Sequence, residues 1–213
     1  MHWSDSLILS SLIVAETLAI LLLLRNIFRA MPFVLDSFTR VRGSVDIENS
    51  VGLSRDRTLT ALLLLIPFVM LLSRFRIYNP VFLAGFGPEE HFLGTAVCFL
   101  GYLLLRFLMH MWLRPRYKRY ADIFTMARRF AYSGFIVLVL LLLPLTGILL
   151  LCGVGDPLIG RILLYTSAVI YLFYIYRKSQ IFGLYCSPFT TFLYLCALEF
   201  LPLAVFVASA FVA

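Results

Sequence analysis

Charge is what this sequence has least of. Only 14% of its 213 residues are Asp, Glu, Lys or Arg, while 62% are hydrophobic. A soluble globular domain carries about 25% charged and about 45–50% apolar residues, so an ordinary water-soluble globule is excluded. Cysteine is scarce and unpaired in pattern. Cys98, Cys152, Cys186 and Cys196 form no CxxC, which leaves free thiols acting as small apolar residues, with a Cys98–Cys152 bridge as the alternative. There are three histidines, His2, His91 and His110. A phosphate-binding glycine loop, an HExxH and a Ser/His/Asp constellation of workable spacing are all missing, so no catalytic residue and no metal ligand set is expected. The polar stretches are too short to fold as a separate soluble domain.

What is present is a series of apolar blocks of the length that crosses a bilayer, about 20 residues each. The expectation is an all-α polytopic membrane protein in one transmembrane domain. Its six spans fall near 6–24, 58–74, 91–113, 130–152, 159–176 and 188–211. Asn79-Pro80, Gly85–Pro88, Gly153–Pro157 and Ser187-Pro188 punctuate the gaps. Leu7–Leu24 has no basic stretch before it and no small-residue cleavage site after it, so a retained helix is expected, not a removed leader.

Basic residues give the spans a direction. Fourteen of the 18 Lys and Arg residues follow the first, third and fifth spans, against Arg74, Arg76 and Arg161 on the other side and Arg106 within a span. By the positive-inside rule the basic side is cytoplasmic and both termini face outward. Phe28, Met31, Leu35 and Phe38 recur at helical spacing after the first span, and Tyr117, Tyr120 and Phe124 after the third. Each row predicts an amphipathic helix lying at the cytoplasmic interface. Arg40, Arg42, Arg114, Arg116, Lys118, Arg119, Arg128 and Arg129 are the candidates for contact with anionic lipid headgroups or a partner. Nothing else in the chain resembles a nucleic-acid-binding motif.

Three charged side chains fall inside spans, and such residues call for a named partner. At 1.5 Å per residue, Arg106 lies about 10 Å from the cytoplasmic end of its span, Glu16 about 13 Å from the same end of its own, and Glu199 about 16 Å into the last span. Either carboxylate lies within reach of the arginine. Tyr102, Arg106 and His110 repeat every four residues and share a helix face. The expected polar cluster is therefore Glu16, Tyr102, Arg106, His110 and Glu199. Three uses are open: a structural pin, a proton relay or solute path, and simple snorkelling of the arginine. His91 and His110 are about 28 Å apart on one helix and cannot share a haem. Ser11, Ala15 and Ala19, and likewise Ala204 and Ala208, make small-residue stripes suited to close helix approach, within the chain or against a partner. Pro67, Pro144 and Pro202 are expected to kink their spans.

The segment SPFTTFLYLCALEFLPLAVF carries one resemblance. Tyr194, Leu195, Cys196, Leu198, Glu199, Leu201 and Pro202 form a Tyr-Leu-Cys-x-Leu-Glu-x-Leu-Pro signature. It resembles a Bacteroidota integral membrane family, domain of unknown function 4271. The resemblance implies an inner-membrane location and marks Glu199, without implying an activity or a cofactor. The residues themselves lead to a non-enzymatic subunit of a larger inner-membrane complex, in protein export or envelope biogenesis, among other membrane subunits. The rivals are a proton-coupled small-solute transporter using Glu199 or Glu16 with Arg106, and a haem or redox subunit.

Overall fold

The computed structural model describes residues 7–39, 51–83, 85–113, 118–183 and 187–210. Among them the regular structure is helical throughout: α1 (Leu7–Thr39), α2 (Val51–Leu63), α3 (Leu65–Arg74), a single 3₁₀ turn (Val81–Leu83), α4 (Pro88–Trp112), α5 (Lys118–Leu151), α6 (Asp156–Gly183), α7 (Pro188–Leu195), a π turn (Cys196–Phe200) and α8 (Leu201–Ala208). Five helical stretches are long and apolar enough to cross a membrane: Gly52–Arg74, Pro88–Trp112, Phe124–Leu151, Asp156–Gly183 and Pro188–Ala208. Ser10–Leu22 and Ile27–Phe38, bent by 53°, make a sixth if taken as one span. This is the make-up of a multi-pass membrane protein.

Prolines and capping residues set where these helices start, bend and stop. Pro32 lies inside α1, in its second segment, while the 53° bend falls earlier, between Leu22 and Ile27. Pro67 has no amide to offer Leu63, and the chain breaks between α2 and α3 at Leu64. Ser187 caps α7 by accepting a bond from the Thr190 amide at 3.3 Å, with Pro188 as the first helical residue. Glu90 reaches back to accept from the Gly87 amide at the start of α4. At the end of α5, Gly153 takes φ +70°, and the amides of Gly153 and Val154 donate to the carbonyls of Leu150 and Leu149. Only a residue free of a Cβ adopts that left-handed cap without cost.

The α2–α3 pair is the innermost span and α4 the least covered. α5 packs along α6, α1 and α2, α3 lies on α4, α6 meets α7, and α8 with the π turn rests on α4. One core half centres on Leu64, Phe68, Phe99, Ile136 and Leu163. The other centres on Phe38, Phe130, Tyr174, Phe182 and Leu198. Gly160 lets α6 begin hard against α3: a Cβ there would sit 2.7 Å from the carbonyl oxygen of Phe75.

The expected boundaries need correcting at three ends. α5 starts at Lys118 and runs 34 residues, about 51 Å at 1.5 Å per residue, more than the roughly 30 Å of a hydrocarbon core. Phe124, expected on an interfacial row, is buried in the bundle. α6 continues past 176 to Gly183, so Arg177 and Lys178 lie in a helix and not in a loop. α2 starts at Val51, and Asp56 and Arg57, expected on a basic loop, are buried among the helices. In α1 the packed row is Ile27, Val34 and Phe38, while Phe28 and Leu35 face outward.

Candidate functional site

The last span is broken where its carboxylate sits. Pro202 cannot donate to Leu198, and its ring crowds that carbonyl in a regular helix. The chain answers by widening: the Leu201 amide donates to the carbonyl of Cys196, five residues back. Such single π turns gather at functional positions. Glu199 lies in this turn with no exposed surface.

Three side chains from two other helices converge on one of its oxygens. Arg106 Nη2 of α4 donates to Glu199 Oε1 at 2.6 Å. Lys178 Nζ of α6 donates to the same oxygen. Tyr174 Oη, one turn before Lys178, donates to it at 3.0 Å. The tyrosine oxygen in turn accepts from Arg106 Nη2 at 2.8 Å and from Lys178 Nζ at 3.3 Å. Lys178 is fully buried, and the Arg106 side chain is 17% exposed. Charge-assisted bonds of this kind are about twice as strong as neutral ones.

The aromatic side of the site is fitted with equal care. The Tyr174 ring stacks on Phe130 of α5, with centroids 5.6 Å apart and planes within 8°. One turn along α5, Gly134 leaves room for its other edge: a Cβ there would lie 2.7 Å from Tyr174 Cδ2. Phe130 and Gly134 thus hold the phenol where its hydroxyl meets Glu199. Tyr102 packs against Phe99 and Phe206. His110 is buried, edge-on to Phe124 at 5.5 Å, and neither ring nitrogen has a hydrogen-bond partner among the described residues. Glu199 Oε2 and Tyr171 Oη are buried and unpartnered in the same way.

Of the residues expected to cluster, the structure brings Arg106 and Glu199 into contact and turns Tyr102 and His110 toward the same interior. Glu16 does not join them. It is buried on α1, which packs on α2 and α5, and its Oε1 has no partner among the described residues. Depth in a membrane sets a residue's level but not the side of the bundle it occupies. Tyr174 and Lys178 complete the site and are absent from the sequence-derived set. The signal for them was the row Tyr171–Tyr174–Lys178–Ile181, at alternating spacings of three and four, running on past the expected span end.

Among the expected lipid or partner contacts, Arg40, Arg42, Arg114 and Arg116 lie outside the described residues. Lys118 and Arg119 open α5, Arg128 is exposed and Arg129 half-buried. Cys98, Cys152 and Cys196 are free thiols.

A second polar site ties the other end together. His91 Nδ1 lies 2.8 Å from Ser73 Oγ, and His91 Nε2 lies 3.2 Å from Asn79 Oδ1. Asn79 Oδ1 only accepts, so Nε2 carries the proton and Ser73 donates to Nδ1. Both nitrogens are thereby engaged, which leaves none for haem iron. Comparison with family models, with curated proteins and with solved structures returns no match.

Proposed function

We propose that the chain is a non-enzymatic, multi-pass subunit of a larger bacterial inner-membrane complex, working in protein export or envelope biogenesis. The observation that carries this reading is where the small residues point. Ser11 and Ala15 of α1, and Ala204 and Ala208 of α8, are exposed on the outside of the bundle, and Ala19 is half-buried, so most of each stripe is left uncovered by the described residues. Surfaces of this kind allow backbones of separate helices to approach closely. The charges, by contrast, are turned inward and fasten α4, α6 and the last span to one another, as a scaffold requires. In this proposal the basic loops face the cytoplasm, the termini face outward, and the first turns of α5 and the second half of α1 lie at the interface with anionic headgroups. Membership of the Bacteroidota family belongs to the same proposal, since the resembling signature is the segment that builds the π turn.

The test is recovery of stoichiometric partners from native membranes in mild detergent, read by mass spectrometry. Ala15→Leu and Ala204→Leu are expected to lose those partners while leaving the helical content unchanged. Recovery of a lone monomer under several gentle conditions would overturn the reading.

The transporter reading retains one specific support: a carboxylate at the centre of the bundle whose Oε2 is unpartnered. Glu199→Gln separates the two. A transporter loses solute uptake in vesicles while the bundle still assembles, whereas a pin loses stability first.

A further inference from the structure

The formal charges at the Glu199 site do not balance. Arg106 and Lys178 bring two positive charges and Glu199 brings one negative, in a place where Lys178 and Glu199 have no exposed surface. Among the described residues the other titratable groups around Lys178 are Tyr102 and His110 on α4 and Tyr171 and Tyr174 on α6. Arg128 of α5 adds further positive charge on His110. None of these supplies the missing anion in its ordinary form.

Donor counting shows which cation is the surplus one. A lysine ammonium has three N–H donors and an amine has two. Lys178 Nζ has two acceptors, Glu199 Oε1 and Tyr174 Oη. The amine uses both of its hydrogens there, while the ammonium leaves one with no acceptor among the described residues. Arginine does not give up its proton in proteins, whereas buried lysine does. Loss of one proton from Lys178 therefore leaves a neutral Arg106–Glu199 pair and an amine with both of its hydrogens bonded.

Other buried polar atoms near the site have no partner among the described residues: Glu199 Oε2, Tyr171 Oη and both nitrogens of His110. Buried polar atoms in native proteins are bonded to protein or to ordered water. Lys178 is the charge that acts most strongly on His110, and His110 lies one turn from Arg106 toward the Trp112 end of α4.

We propose that Lys178 is a proton-exchanging site, taking up and releasing one proton at Nζ while Arg106 and Glu199 stay paired. The site stands independently of any partner subunit, because all of its groups belong to this chain.

The chain has only two lysines, Lys118 and Lys178, so the test reads one atom. Protein carrying Lys118→Arg and labelled with ¹³C,¹⁵N-lysine, in lipid nanodiscs, gives a single lysine side-chain signal. The expected result is a shift of that signal from the ammonium to the amine position as pH rises through the neutral range. Arg106→Met removes the competing cation, leaving Lys178 as the sole counter-charge to Glu199, and is expected to hold the signal at the ammonium position over the same range. A signal that stays at one position across mildly acidic to mildly alkaline pH in the Arg106-containing protein overturns the proposal. That arm decides the matter even where Arg106→Met fails to fold. An unchanged titration in a folded Arg106→Met protein overturns the charge argument equally.

Discussion

Two buried polar junctions among the described residues, at His91 and at Glu199, are built on opposite principles. At His91 every polar atom of the ring is matched by a neutral partner, Ser73 on one side and Asn79 on the other. At Glu199 one oxygen takes three donors, the other takes none among the described residues, and these residues carry one unit of charge too many. A satisfied neutral junction has one preferred arrangement and fastens α3, its following loop and α4. A crowded and unbalanced junction has an alternative state within reach. The difference teaches that burial of a polar group does not by itself separate a fastening from a site that can change state; the balance of charges and partners does.

The comparison can be broken most forcefully at the carboxylate. Glu199→Ala leaves two cations facing each other without an anion, and a loss of about 3–5 kcal/mol is expected, as when one partner of a buried ion pair is removed. Unfolding in detergent by heat or denaturant measures it, and a loss no larger than that of a surface substitution would refute the pin. Next comes the neutral junction: His91→Leu leaves the Ser73 hydroxyl and the Asn79 carbonyl group unmatched, at an expected cost of about 1–3 kcal/mol. Smaller again is Lys178→Met. It removes the surplus charge and leaves the Arg106–Glu199 pair intact, so the expected change is within about 1 kcal/mol, because an apolar replacement of a poorly compensated ion is often neutral. A Lys178→Met loss equal to that of Glu199→Ala would show that both cations are needed to hold the helices.

The smallest effect lies beside the neutral junction. Arg76 ends α3 with φ 48°, its amide and that of Ile77 donating back to Ser73 and Leu72. Glycine is the residue suited to this left-handed cap, so Arg76→Gly is expected to stabilise by about 0.5 kcal/mol, the steric relief being partly offset by the freer unfolded chain.

Much of this architecture is legible in the chain because a bilayer demands a simple code. Long apolar blocks place the helices, and Pro67 and Pro202 mark the two breaks. Arg106 and Glu199 announce themselves as charges where charge is rare. What the sequence conceals is azimuth. Glu16 has a suitable depth but stands on α1, away from α4, and no periodicity within a single helix reveals which neighbour it will face. Lys178 is hidden by the opposite effect. It follows Arg177 in a basic dipeptide that reads as the start of a loop, yet Arg177 turns to donate to the Phe38 carbonyl at 2.6 Å while Lys178 turns inward. Adjacent residues in a helix point about 100° apart, enough to give two neighbouring cations different fates. Gly134 is legible only afterwards, since its purpose is the space it leaves for a ring on another helix.

The widened turn at 196–200 also fixes the phase of everything beyond it. One residue more in a turn rotates the following segment by about 100° relative to an uninterrupted helix. That rotation aims Phe206 at Tyr78, stacked at 4.3 Å, and brings the Ser209 hydroxyl within 2.6 Å of the Tyr78 hydroxyl. Deleting a single residue between Cys196 and Phe200 would re-index the tail of the chain, swinging its aromatic anchor toward lipid, so the carboxylate's seat and the docking of the last helix are inherited together.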